Sequence, residues 1–166
     1  TQMDYHTAHA LHEIDVAGLA DNTIIFFWSD HGVGLPRGKR WVYDSGTHVP
    51  MIVYIPPKFR VAGQGTPGSV SNHLISFIDL APTVLNLAGI PIPSHIQGRA
   101  FLGPNPSRER EFVVSVRDRM DERYDIIRAV RDKRYRYIRN FMNWKPYSQH
   151  LEYAERNETM KALRHQ

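Results

Sequence analysis

The sequence predicts an α/β layer followed by a small antiparallel α+β piece. Two observations point to the layer. Residues 23–28 and 51–55 are apolar runs without alternation, each ended by a sharp polar or proline stop, and helical patterns lie on either side of them. A third observation marks the appended piece: after Ile90-Pro91-Ile92-Pro93, short stretches alternate apolar with polar residues.

Taken in order, residues 4–19 place Ala8, Leu11, Ile14 or Val16, and Leu19 loosely on one helical face, with Gly18 as the stop and Ala20-Asp21-Asn22 as a turn. Residues 23–28 are β-branched and aromatic throughout, as expected of a parallel strand with helices over both faces. The run ends at Ser29-Asp30-His31-Gly32 and passes into a loop, residues 33–46, rich in glycine, proline and basic residues. Pro50 introduces a second buried strand, residues 51–55, closed by Pro56-Pro57, and residues 58–71 read as loop. Asp79 or Ser76 is expected to cap a helix carrying Leu80, Val84, Leu85 and Leu87 and ending at Gly89, with Pro82 tolerated in its first turn. Residues 111–116, 125–130 and 134–138 read as short strands. The last two form a hairpin around Arg131-Asp132-Lys133 with one wet face. From Tyr147 onward the composition is helical and polar. The expected division is an α/β part over residues 1–105 and an antiparallel-sheet subdomain over 106–166.

Composition narrows the function. Hydrophobic content of 42% and charged content of 23% are ordinary for a globular chain. No apolar run approaches the roughly 20 residues of a membrane span. With no cysteine in the 166 residues, disulfides, thiolate metal sites and a cysteine nucleophile are excluded within them. The first residues show no signal peptide. A net charge of +4 could suit nucleic acid, but the arginines between Arg108 and Arg139 are interleaved with Glu109, Glu111, Asp118, Asp121, Glu122, Asp125 and Asp132. That reads as a solvated, salt-bridged surface, and no nucleic-acid partner is expected.

Ligands of open α/β sheets bind beyond the carboxyl ends of the strands, where Asp30 and His31 stand. A carboxylate beside an imidazole can ligate a divalent cation, with Gly32 letting the backbone turn sharply; a plain Asx turn uses the same residues. Lys39 follows in the same loop, flanked by Arg37, Arg40 and His48. Metal ligands with cations nearby suit a tetrahedral oxyanion ester, and an isolated loop lysine is the equal alternative for Lys39. His6, His9 and His12 drift off any common helical face, so an exposed helix explains them better than a metal site. Phe141, Trp144 and Tyr147 read as satellite core ahead of a sugar-stacking platform.

Three runs carry a specific resemblance: residues 19–32, ending Phe27-Trp28-Ser29-Asp30-His31-Gly32; residues 38–53, with Gly38-Lys39-Arg40 and Gly46-Thr47-His48-Val49-Pro50; and residues 78–90, with Asp79-Leu80-Ala81-Pro82-Thr83. Together and in this order they resemble the sulfatase family of the alkaline-phosphatase-like superfamily, nearest its sulfamidase (heparan N-sulfatase) branch. The resemblance runs from about residue 4 to 140. It implies an alkaline-phosphatase-like mixed sheet between helices. It also implies hydrolysis of sulfate esters or sulfamates on a small molecule or glycan, Ca2+ or another divalent ion as cofactor, and an extracytoplasmic location. Asp30 and His31 match the second pair of calcium ligands, with His31 where many members have Asn, and Lys39 matches the basic residue that contacts the sulfate. Asp79 and Pro82 match a signature read as helix-start chemistry. The family's nucleophile is a formylglycine made from Cys or Ser in C/S-x-P-x-R, upstream of the Asp-His-Gly strand together with a first aspartate pair. Neither occurs in these residues, so the chain is expected to begin partway through the catalytic domain and to be inactive alone. A metal-dependent phosphomonoester or phosphonate-ester hydrolase of the same superfamily is the alternative.

Overall fold

The computed structural model describes residues 1–146 and 149–164. Its elements are mixed α/β in the order α1 (Gln2–Val16), β1 (Ile25–Trp28), α2 (Asp44–Thr47), β2 (Met51–Tyr54), α3 (Leu80–Leu87), β3 (Val113–Met120), β4 (Arg123–Arg131), β5 (Arg136–Asn140), α4 (Glu152–Glu155) and α5 (Glu158–Arg164). The residues group into two compact units. One is formed by Thr1–Phe27, Met51–Ser71 and Phe77–Arg108, the other by Trp28–Pro50, Asn72–Ser76 and Glu109–Gln166.

In the first unit, α1 starts where Thr1 accepts the Asp4 N–H and ends at Gly18. The left-handed φ of +66° at Gly18 lets the Gly18 and Leu19 N–H groups close back on Asp15 and Ile14 carbonyls. The expected apolar face is not buried: α1 holds no buried residue, and Leu11, Val16 and Leu19 are exposed. Strands β1 and β2 pair as a two-stranded sheet. The expectation of burial on both faces fails here, because β2 alternates and Ile52 is 62% exposed. A continuous apolar run records composition, whereas burial needs facing elements, and among the described residues none covers Ile52.

Helix α3 is held by its polar stripe. Asp79, one of the two expected caps, stands at the N-cap position, but its side chain makes no cap hydrogen bond. Its Oδ1 instead accepts the Arg99 N–H at 2.7 Å. One turn on, Thr83 Oγ1 accepts the Phe101 N–H at 3.1 Å and donates to the Asp79 carbonyl. Asn86 donates to the Leu102 carbonyl at 2.8 Å and accepts from Asn105. Spacing of four and three residues puts these side chains on one face, where they satisfy backbone groups of the following loop. Gly98 is required there, since a Cβ would lie 1.9 Å from the Ile78 carbonyl oxygen.

The second unit is built on the antiparallel meander β3-β4-β5. The expected hairpin is present: Asp132 accepts the Arg134 and Tyr135 N–H groups, which holds its carboxyl below the usual range, and β4 pairs with β5. The other hairpin turns at Asp121, with φ +50°, and β3 carries an irregularity between Arg117 and Arg119. Ile127 and Ala129 on the inward face pack with Val42, Trp41 and Ile138. The site loop therefore supplies two of these five residues, Trp41 and Val42. Phe141 and Trp144 are exposed and contribute no satellite core; Tyr147 lies outside the described residues.

Candidate functional site

Residues 29–48 form a loop whose backbone folds on itself. The Gly32 N–H donates to the Gly46 carbonyl, the Lys39 N–H to Val33, and Ser45 Oγ to Arg37. Three glycines make this crossing sterically possible. A Cβ on Gly32 would lie 1.7 Å from the Ser45 oxygen, on Gly38 2.1 Å from the Val33 oxygen, and on Gly46 2.2 Å from the Trp41 oxygen. Arg37 and Arg40 occupy left-handed backbone at φ 65° and 75°. Such positions cost roughly 1–3 kcal/mol each in a non-glycine residue and persist only when the surroundings fix them.

Ser45 and Asp121 hold Arg37 and Arg40, and sheet arginines hold the second half of the loop. Arg136 reaches from β5 to Asp44 at 2.7 Å, to Thr47 Oγ1 at 3.0 Å and to the Val42 carbonyl. Arg131 approaches Asp44 from β4 at 3.4 Å. These two are register partners, so both point at α2 from one face. Burial lowers the Arg136 pKa, with Asp44 opposing the shift. Arg117 is buried, paired with buried Asp125 at 3.6 Å, and its guanidinium lies 4.1 Å from the Trp41 ring. Reading the arginines as a solvated surface is thus corrected for Arg117 and Arg136. Arg128–Asp118 and Lys133–Glu109 do form the more exposed pairs that reading expected.

Asp30 and His31 follow β1, and their side chains meet. His31 Nδ1 lies 2.7 Å from the Gly32 carbonyl oxygen. A carbonyl only accepts, so Nδ1 carries the proton. Nε2 then points its other valence at Asp30 Oδ2, 3.3 Å away. Two lone-pair atoms that close repel unless a cation lies between them, and a proton on Nε2 or a metal ion both meet that need. Donors about 2.3–2.6 Å from calcium and at right angles sit about 3.3–3.7 Å apart, so the spacing fits. Asp30 is largely exposed and open to a solvated cation. Among the described residues no third His, Cys, Asp or Glu joins them, so the pair is at most part of a shell.

Lys39 shares the loop, but its ammonium lies over the Tyr153 ring, 4.9 Å from the centroid. Arg40 rests on the same ring at 4.0 Å and pairs with Asp121 at 2.7 Å. Arg37 lies 5.9 Å from the Tyr43 ring, and His48 is an exposed helix cap with no further role visible. His6, His9 and His12 are exposed, with His9 3.5 Å from Glu13. Sequence reasoning missed Asp44, Arg131, Arg136, Arg117 and Tyr153. The inward register of Arg131 and Arg136 was a usable signal; Tyr153, over a hundred residues from Lys39, gave none.

A model of the sulfatase family matches residues 1–90, which include Asp30, His31, Lys39 and the α3 stripe. The chain is 44% identical over 162 residues to an ulvan-active sulfatase of Formosa agariphila, covering 98% of this chain and 26% of that protein. It is 29% identical to the N-sulphoglucosamine sulphohydrolase of Homo sapiens, over 87% of this chain and 30% of that protein. It is 34% identical to an extracellular sulfatase SULF-1 homolog of Drosophila melanogaster, over 65% of this chain and 10% of that protein. The chain thus spans about a quarter of the length of the first of these. No helix among the described residues is long and apolar enough to cross a membrane. The match over more than half of its residues shows that the chain belongs to the sulfatase family.

Proposed function

We propose that the protein carrying these residues hydrolyses sulfate esters or sulfamates on a carbohydrate outside the cytoplasm. Residues 1–105 would belong to its catalytic α/β domain and 106–166 to an antiparallel subdomain. The observation that carries the reading is the Asp30–His31 pair, its Nε2 and Oδ2 3.3 Å apart beyond β1, in a loop that also bears Lys39. The names of the relatives, an ulvan-active sulfatase and an N-sulphoglucosamine sulphohydrolase, support a sulfated saccharide as substrate.

In this reading Asp30 and His31 would hold part of a calcium shell, and the ion would supply positive charge to the sulfate oxygens. The Gly32 carbonyl fixes the imidazole through Nδ1, which would leave Nε2 to ligate the ion. Lys39 places a positive charge against the sulfate, stabilising the negative charge that develops as the bond to oxygen or nitrogen breaks. The nucleophile, a formylglycine in C/S-x-P-x-R, belongs to sequence other than these 166 residues, which contain no such motif. On their own they give no turnover.

Hydrolysis of an aryl sulfate and an aryl phosphate by the full-length enzyme tests the reading. A clear preference for sulfate supports it. A preference for phosphate would assign the same site to the phosphomonoester branch of the superfamily.

A further inference from the structure

We propose that Tyr153 is a positioning residue for the site loop: its ring, presented by α4, holds the Lys39 ammonium and the Arg40 guanidinium together. The ring lies 4.9 Å from Lys39 Nζ and 4.0 Å from Arg40 Cζ. Two cations on adjacent residues repel each other. An aromatic face, negative at its centre, offsets that repulsion without neutralising either charge. Asp121 takes the Arg40 Nε side at 2.7 Å and leaves the Lys39 ammonium with the ring.

The segment bearing Tyr153 is tethered along its length. Arg123 Nε donates to the His150 carbonyl at 2.6 Å, and the Glu152 N–H donates to Glu122 Oε1 at 2.8 Å. Leu151 is buried, and Asn157 Nδ2 donates to the Gly34 carbonyl at 3.0 Å. The tip of the β3–β4 hairpin thus holds both Arg40, through Asp121, and the tyrosine-bearing segment, through Glu122 and Arg123. A lysine carries much side-chain rotamer freedom, and a ring that restricts it makes the ammonium ready for an anion before the anion arrives. A carboxylate in place of the ring would quench the charge; the ring leaves it available. The effect on turnover rests on the sulfatase reading above, whereas the geometry of the ring does not.

The test uses the full-length enzyme as wild type, Tyr153→Phe and Tyr153→Leu. The first readout is the acylation rate of each lysine by an amine-reactive ester, resolved by peptide mass spectrometry. Tyr153→Leu should label Lys39 roughly 3- to 30-fold faster, the span of a cation–π contact, while Lys133 and Lys161 stay unchanged. Tyr153→Phe should restore the wild-type rate. The second readout is aryl sulfate kinetics, where the leucine variant should raise KM by a similar factor more than it lowers kcat, and phenylalanine should restore KM. Should Tyr153→Leu fail to fold, Tyr153→Gln makes the same comparison at this half-exposed position. Equal labelling of Lys39 with and without the ring, or a phenylalanine variant that behaves like leucine, overturns the proposal. Absence of sulfatase turnover in every form would instead sink the functional reading and leave the labelling result to decide the role of Tyr153.

Discussion

Removing Asp125 should damage the second unit more than removing the whole ion pair to which it belongs. The Arg117 and Asp125 side chains are 2% and 4% exposed, yet their closest approach is 3.6 Å, outside hydrogen-bond range. Arg117 Nε and Nη1 find no hydrogen-bond partner among the described residues. Burial pulls the Arg117 pKa down, and the Asp125 charge only partly opposes that. Asp125→Ala would leave a buried guanidinium with only the Trp41 ring against it, and breaking such a pair costs about 3–5 kcal/mol. Arg117→Met combined with Asp125→Ala removes both charges and fills the space under Trp41 with an apolar chain. The double variant should recover most of the loss and come within about 1 kcal/mol of the wild type, since loosely made buried pairs are commonly matched by apolar replacements. Urea unfolding followed by tryptophan fluorescence measures all four corners of the cycle. An Asp125→Ala variant within about 1 kcal/mol of wild type, or a double variant as unstable as the sum of the singles, would refute the reasoning.

Three further outcomes follow from the same geometry. Gly32→Ala should unseat the site loop, because its Cβ would lie 1.7 Å from the Ser45 oxygen; turnover by the full-length enzyme should fall while the far-ultraviolet spectrum is kept, and unchanged kinetics would contradict the packing described. Thr83→Val should cost about 1 kcal/mol, the scale of the hydrogen bond it makes to the half-buried Phe101 N–H; a thermal midpoint equal to wild type would contradict it. The N–H donated by Glu152 holds the Glu122 carboxyl below its ordinary value of 4.5. A depressed carboxylate stabilises above the unfolded value and loses that contribution as pH falls through the folded one. The Glu152 amide should therefore exchange progressively faster than pH alone explains as the solution is taken below about 4.5. Flat protection across that range would show that the contact does not tether α4.

Much of the fold was legible because it depends on local pattern. Alternation placed three antiparallel strands, and Asp132 with its neighbours marked the hairpin between the last two. The start of β2 and the stops at Gly18 and Gly89 followed from an apolar run and from glycines, whereas β1 begins at Ile25, two residues later than its apolar run. Burial was harder to read. Residues 23–28 and 51–55 are apolar enough for a two-sided core, but what lies over Ile52 is a tertiary matter. Asp79 misled because a carboxylate at a helix start looks like a cap from sequence, while the Arg99 N–H that it accepts lies twenty residues on. Asp30 and His31 were legible as adjacent ligand types after a strand. The tautomer that turns Nε2 toward Asp30 depends on the Gly32 carbonyl and needs coordinates. The alternating arginines hid two kinds of residue, since a charge pattern does not distinguish the exposed Arg128–Asp118 pair from the buried Arg117–Asp125 pair.

We propose that Asp30 and His31 together hold a divalent cation that serves sulfate hydrolysis. The most direct measurement is a calcium titration of aryl sulfate turnover in the full-length enzyme after chelation, for wild type, Asp30→Ala and His31→Ala. Chelated wild type should lose activity and regain it with calcium. Either variant should need at least about tenfold more calcium for half-maximal rate, the scale on which even supporting residues of a metal site act. Wild-type turnover that survives chelation, or variants that titrate like the wild type, would contradict the claim.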